Sequence, residues 1–286
     1  MFRKPSFNAD GNGKKLQIPG GLFIGCPNCG EVIHKLVLAE NERVCPKCDH
    51  HFAQSARERL ANFLDSDSFE EHDADLIPVD VLGFRGAASY TDRIKTYQAK
   101  TGLKDAVISG TGQLEGREIS IAVMDFEFLG GSMGSVAGEK ITRAIERGTE
   151  RAMPVIVVSA SGGARLYEGM FSLMQMAKTS GALALHALAR LPFISVLTHP
   201  TTGGVTASFA TLGDLIVAEP NSQIGFAGPR VIRETTHQDL PPGFQTAEFL
   251  EAHGLVDMII HRKKMRSTLS GLLAYMVRPV ATAASA

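Results

Sequence analysis

From residue 105 onward the chain alternates between short apolar runs that end in glycine and longer stretches with a single apolar stripe. The run 119–126 reads as a buried strand and leads to Gly130 and Gly131. A helix is predicted from about residue 138. Ile141, Ala144, Ile145, Gly148 and Ala152 mark one face of it, and Lys140, Arg143, Glu146, Arg147 and Glu150 the other. Pro154 closes it. The next run, 155–158, is short, β-branched and apolar at every position, the pattern of a strand buried on both faces. A second helix is predicted over roughly 167–190, a strand over 193–197, a short helix opening within 201–206, and further strands at 215–218 and 224–226. Alternating strands and helices of this kind predict an α/β domain with helices packed on a twisted sheet.

The region before residue 105 reads differently. Residues 21–52 form a small module and 53–104 a helical connector, in which Ser55 and Glu58 make a capping box ahead of the apolar positions Leu60, Phe63 and Leu64. A charged segment over 91–100 is expected to be helical. The α/β domain is assigned to 105–278, with flexible tails at 1–20 and 279–286.

All four cysteines lie in the small module, as Cys26-x2-Cys29 and Cys45-x2-Cys48 separated by fifteen residues. Each Cys-x-x-Cys turn aims two thiolates at one point, and Zn2+ takes four such ligands in a tetrahedron. With every position filled by protein, the predicted zinc is structural. Val32, Ile33, Leu36, Val37 and Leu38 are expected to supply the hairpin strands of the ribbon. His34, His50 and His51 are read as surface residues, not needed as ligands.

Charge narrows the classes of partner. With 29 basic and 30 acidic residues, the chain lacks the field of a general nucleic-acid or membrane-surface binder. Lys35, Arg43 and Lys47 leave nucleic-acid contact by the ribbon open without making it an expectation. Residues 1–21 contain no apolar signal-peptide core, and no later run is long enough to span a membrane. A cytoplasmic protein is expected.

Two glycine pairs stand at equivalent places, Gly162-Gly163 after one predicted strand and Gly203-Gly204 after the next. A single pair is explained by a tight turn or close packing. Two pairs after consecutive strands also suit main-chain N–H groups converging on an oxygen that becomes anionic, where a Cβ would obstruct approach. The hydroxyls of Ser159, Ser161, Thr201 and Thr202 fit either a polar pocket or helix N-caps. No phosphate loop or dinucleotide fingerprint is present, which disfavours nucleotide hydrolysis.

The blocks 124–146, 159–165, 172–180, 200–210, 224–232 and 240–244, together with the ribbon, resemble the acetyl-CoA carboxylase carboxyltransferase beta-subunit family over nearly the whole chain. The chain departs from the family's usual text at Leu166-Tyr167 and at 80–84. The resemblance implies a crotonase-like (ClpP/crotonase) fold and transfer of a carboxyl group from carboxybiotin, borne on a biotin carboxyl carrier protein, to acetyl-CoA, giving malonyl-CoA. It implies an alpha subunit as partner in an alpha2beta2 assembly, with biotin carboxylase in the larger complex. By the family pattern Gly203 and Gly204 hold the enolate oxygen, and Gly162, Gly163, Ala164 and Thr202 line the substrate pocket. Glu139, Glu168 and His199 lie near these blocks, yet none is a compelling base, so the biotin ring is expected to take the methyl proton. One domain of this size has room for one of the two ligand pockets, so the second is expected from the alpha subunit, and the isolated chain is expected to be inactive. The alternatives are another crotonase-fold acyl-CoA enzyme, or a zinc-ribbon nucleic-acid-binding protein.

Overall fold

The computed structural model describes residues 22–86 and 88–277, so the tails assigned to 1–20 and 279–286 lie outside the described residues. The chain divides into two units, the first ending at His50 and the second beginning at His51.

In the first unit β1 (Phe23–Gly25) pairs antiparallel with β2 (Val32–His34), and α1 (Lys35–Glu40) follows. The two cysteine turns repeat one backbone pattern. Gly30 N–H donates to Cys26 O at 2.9 Å and Asp49 N–H to Cys45 O at 3.0 Å, while Cys26 and Cys45 donate to Glu31 O and His50 O, both at 2.8 Å. Gly30 and Asp49 both take left-handed φ, +72° and +55°, a conformation for which glycine and aspartate are suited. The expectation of hairpin strands from Leu36, Val37 and Leu38 is corrected, because these residues lie in α1. His34 Nδ1 accepts the Leu36 N–H at 3.2 Å and caps the helix, and an unbroken apolar run carries no period to separate strand from helix.

The second unit contains α2 (Ala56–Phe63), β3 (Glu70–His72), α3 (Tyr90–Thr101), β4 (Val107–Leu114), β5 (Arg117–Met124), α4 (Ser135–Glu150), β6 (Val155–Ser161), α5 (Met170–Leu188), β7 (Phe193–Thr202), α6 (Gly203–Thr206), β8 (Leu215–Ala218), β9 (Ile224–Gly225), α7 (Pro229–Thr236), α8 (Ala247–Ala252), β10 (Met258–Ile259) and α9 (Arg262–Met276). The eight-stranded sheet runs β10-β8-β7-β6-β5-β4-β3, with β9 beside the end of β7. β4 pairs antiparallel with β3 on one side and with β5 on the other, and the pairings from β5 through β10 are parallel. Both faces are covered. Val155 and Val157 of β6 pack in one apolar cluster with Ala137, Ile141 and Ile145 of α4, and Ile156 and Val158 in the other with Leu60, Phe63, Ile94 and Leu269. That is why 155–158 is apolar at every position.

The capping box of Ser55 and Glu58 forms as predicted, and α3 covers the charged segment expected to be helical. Residues 53–104 nevertheless do not stand apart as a connector. Ala56, Leu60, Phe63, Tyr90 and Ile94 are buried in the core, and β3 extends the main sheet. The helix expected over 167–190 is interrupted at Gly169 (φ +52°), which separates a short 3-10 turn, Leu166–Glu168, from α5.

Candidate active site

β6 and β7 are parallel neighbours, in register from Val155↔Phe193 to Ser159↔Leu197, with an irregularity before Ser161↔Thr201. Their carboxyl ends, where ligands bind in α/β sheets, therefore release the two glycine turns side by side. A Cβ on Gly203 would lie 2.9 Å from Gly163 Cα, and a Cβ on Gly163 would lie 3.1 Å from Gly203 Cα and 3.4 Å from Gly204 N. A third turn joins them, since Gly130 O accepts the Gly162 N–H at 2.8 Å and a Cβ on Gly131 would collide with Ala160 O. The three turns are stapled by hydroxyls. Ser161 Oγ donates to Gly131 O at 2.6 Å, and Thr202 Oγ1 donates to Ser161 O at 3.2 Å. Thr202 makes no side-chain cap on α6.

The amide hydrogens sort the predicted residues. Gly162 N–H is held by Gly130 O, Gly163 N–H by Ser161 Oγ at 3.0 Å, and Gly203 N–H by Phe226 O at 2.9 Å. Gly204 N–H lies in the first turn of α6, where the helix offers no acceptor. Neither it nor Ala164 N–H makes a hydrogen bond among the described residues. Gly203 O accepts the Ala207 N–H and Gly163 O the Met133 N–H, at 3.0 and 2.8 Å. Because a trans peptide points its N–H opposite its C=O, the Gly204 and Ala164 amides face away from these partners. Their residues adjoin, a Cβ on Gly204 lying 3.4 Å from Ala164 Cβ. The expectation that both Gly203 and Gly204 donate is thus corrected, because Gly203 N–H is already committed. What Gly203 provides is its missing Cβ and its φ of +62°.

The three ionisable residues noted near the motifs are all engaged. Glu139 pairs with Arg143 at 2.7 Å and with Lys178. Glu168 is buried, accepting from Tyr90 Oη at 2.5 Å and from Ser135 N–H at 2.6 Å. His199 Nδ1 accepts the Gln223 N–H at 3.2 Å, and burial lowers its pKa.

Sequence reading missed two features. Arg165, directly after the first turn, is buried against Asp105 and Tyr90, which lie 60 and 75 residues earlier in the chain. No spacing rule joins positions so far apart. The other is α5, whose Met176 Sδ would be 2.9 Å from a Cβ on Gly204. Its outer side exposes Met170, Leu173, Met174, Leu185 and Leu188, the last at 79%. This stripe is legible as helical spacing, but a buried core face has the same pattern.

In the first unit the Sγ atoms of Cys26, Cys29, Cys45 and Cys48 all lie within 4.8 Å of one another. Cys26 is 3.7 Å from Cys48 and Cys29 is 3.8 Å from Cys45, far beyond the roughly 2.05 Å of a disulfide. A tetrahedron with Zn–S near 2.3 Å has sulfur–sulfur edges of about 3.8 Å, so the four thiols fit zinc.

Comparison with known proteins agrees with both units. The carboxyl transferase domain family matches residues 53–245, and the acetyl-CoA carboxylase zinc finger domain family matches residues 23–48. A Citrifermentans bemidjiense protein named acetyl-coenzyme A carboxylase carboxyl transferase subunit beta is 55% identical over 271 residues, covering 95% of this chain and 96% of the relative. An Opitutus terrae protein of the same name is 53% identical over 285 residues, covering 99% and 98%. Among solved structures, transcarboxylase 12S with methylmalonyl-coenzyme A bound is similar at TM-score 0.66 and 27% identity, over 78% of this chain and 41% of that one. This chain therefore spans about two fifths of the transcarboxylase chain. A Pseudomonas malonate decarboxylase hetero-dimer shares the fold at TM-score 0.61 and 23% identity, over 78% and 86%. These matches do not favour a different acyl-CoA enzyme or a nucleic-acid-binding protein. With a family match across most of its length and relatives above half identity end to end, the chain belongs to the acetyl-coenzyme A carboxylase carboxyl transferase beta-subunit family.

Proposed function

We propose that this chain binds acetyl-CoA and stabilises its enolate while a carboxyl group is transferred from carboxybiotin to the methyl carbon, giving malonyl-CoA in the cytoplasm. The observation that carries this reading is the pair of uncommitted amides, Gly204 N–H and Ala164 N–H, on adjoining turns. Loss of a methyl proton makes the carbon nucleophilic and moves negative charge onto the thioester oxygen. Two main-chain donors aimed at that oxygen are worth about 3–4 kcal/mol each. Gly163 and Gly203 keep the approach free of side chains, and Gly162 and Thr202 complete the rim.

Carboxybiotin, when bound, supplies the carboxyl group and, after losing it, a ring nitrogen able to take the methyl proton. The chain itself then need not provide a base, in keeping with the engaged states of Glu139, Glu168 and His199. His199→Asn is expected to retain turnover, and loss of turnover with acetyl-CoA binding intact would overturn this point. Cys26, Cys29, Cys45 and Cys48 hold one zinc per chain, with a structural role, since no coordination position is left for water.

The second ligand pocket comes from an alpha subunit in an alpha2beta2 assembly, which a biotin carboxyl carrier protein visits and biotin carboxylase joins. The exposed apolar stripe of α5 supports a protein partner, because a helix face of that kind is unusual on a solitary chain.

The test is Gly204→Pro, assayed as carboxyl transfer from malonyl-CoA to biotin after mixing with the alpha subunit. Proline deletes the N–H at a position where the first helical turn tolerates it, and kcat is expected to fall by about 10²–10³. Gly204→Ala keeps the donor and meets the flexible end of Met176 at 2.9 Å and, at ordinary contact distance, Ala164 Cβ at 3.4 Å, so its loss should be much smaller. A folded Gly204→Pro protein with wild-type kcat would refute the reading.

A further inference from the structure

We infer that Arg165 is a positioning residue that fixes the direction of the Ala164 N–H through a buried cluster with Asp105, Tyr90 and Glu168. The inference rests on the reading of Ala164 given above. Ala164 is bracketed by two main-chain bonds to one residue: Met133 N–H donates to Gly163 O at 2.8 Å, and Arg165 N–H donates to Met133 O at 2.9 Å. The tilt of the Ala164 N–H therefore follows the placement of residues 132–135, and the cluster grips those residues.

Arg165 is 1% exposed, and its five donors all have partners. Nη1 donates to Asp105 Oδ2 at 2.6 Å and to Tyr90 Oη at 3.1 Å, Nη2 donates to Asp105 Oδ1 at 3.0 Å and to Ser132 O at 2.8 Å, and Nε donates to Ser132 Oγ at 3.2 Å. Glu168 continues the grip, receiving the Tyr90 hydroxyl on Oε1 and the Ser135 N–H on Oε2. Between them, a Cβ on Gly134 would lie 2.4 Å from Glu168 Oε1 and 3.0 Å from Arg165 Cζ, so the cluster closes only over a glycine. Burial disfavours the charged guanidinium, but the Asp105 carboxylate overrides this and keeps it charged.

A buried ion cluster adds little net stability, because desolvation offsets much of the attraction. What a fully bonded planar fork does supply is direction. One residue thus holds the 132–133 segment twice, by its backbone at Met133 and by its side chain at Ser132, and so sets the peptide that carries the uncommitted Ala164 N–H. A donor misdirected by a fraction of an ångström costs transition-state stabilisation more than substrate binding, since the neutral thioester oxygen gains less from it than the enolate does.

The test uses the chain assembled with its alpha subunit and the variants Arg165→Lys and Tyr90→Phe. The first keeps the charge and loses the fork. The second removes one hydroxyl and retains the ring, and it decides the matter if Arg165→Lys does not fold. For variants that melt cooperatively, kcat for carboxyl transfer is expected to fall about ten- to a hundredfold, with KM for malonyl-CoA changed by less than about twofold. Unchanged kcat in a folded Tyr90→Phe or Arg165→Lys enzyme would overturn the inference, as would a rise in KM with kcat intact. A wild-type assembly that transfers no carboxyl group removes the functional reading and this inference together, whereas variants as active as an active wild type remove this inference alone.

Discussion

Gly163 and Gly203, 40 positions apart in the chain, touch through their α-carbons, each occupying the space in which the other's Cβ would stand. The contact brings the turn after β6 against the turn after β7, and it sets Gly204 and Ala164 next to each other.

Gly203→Ala therefore meets backbone, which cannot move aside as a side-chain end can. A Cβ there sits 2.9 Å from Gly163 Cα at a φ of +62°, and left-handed backbone alone costs an L-residue about 1–2 kcal/mol. The variant is expected to lower the thermal midpoint by several degrees and to reduce kcat by at least about a hundredfold, measured by calorimetry and by carboxyl transfer with the alpha subunit present. A wild-type rate would show that the turns can separate without consequence.

Zinc should be present at one ion per chain by elemental analysis. Cys45→Ser is expected to lose it, because three remaining thiolates and a hydroxyl bind Zn2+ much less strongly. The first unit buries few side chains, Leu38 and Val44 among them, so its fold should depend on the metal. Strong chelators are expected to open residues 22–50 to protease while the second unit stays resistant. Full resistance of the metal-free ribbon would contradict a structural zinc.

Acid stability should report Glu219, which is buried between Arg59 at 2.8 Å and Arg262 at 2.6 Å. Burial works to raise its pKa, but the two guanidinium groups, together with the ring of His51, whose side chain is buried here and not at the surface as expected, override this and hold it well below the usual 4.5. A carboxylate with a depressed folded-state pKa contributes stability that is complete above its unfolded pKa and lost as pH falls through the folded one. Denaturant titrations should thus show no slope from this group between neutrality and about pH 4.5 and a declining stability below it. Glu219→Gln should lack that decline and be about 3–5 kcal/mol less stable at neutral pH, since two buried cations lose their partner. An acid slope equal to wild type in the variant would exclude Glu219 as the source.

The apolar face of α5 gives a separate prediction. Met174 and Leu185 are 55% and 60% exposed, so Met174→Asp and Leu185→Asp should change the stability of the isolated chain by only about 0.5 kcal/mol. In sedimentation experiments with the alpha subunit the same variants are expected to fail to assemble, and the isolated wild-type chain should show no carboxyl transfer. Normal assembly of both variants would place the partner elsewhere.

The primary structure by itself determined the elements whose signals are local. Cysteine spacing marks the ribbon, the uninterrupted apolar run of β6 marks a strand covered on both faces, and Ser55 with Glu58 marks the start of α2. The glycine pairs marked where backbone could meet a ligand. Tertiary structure alone decided which amides remain available, because a main-chain N–H has no signature in the sequence and its acceptor can lie anywhere. Phe226 O removes Gly203 as a donor, and Met133 turns Ala164 into one. It also absorbed residues 53–104 into the core and assembled Arg165 with Asp105 and Tyr90, contacts that exist only once the sheet has brought distant segments together.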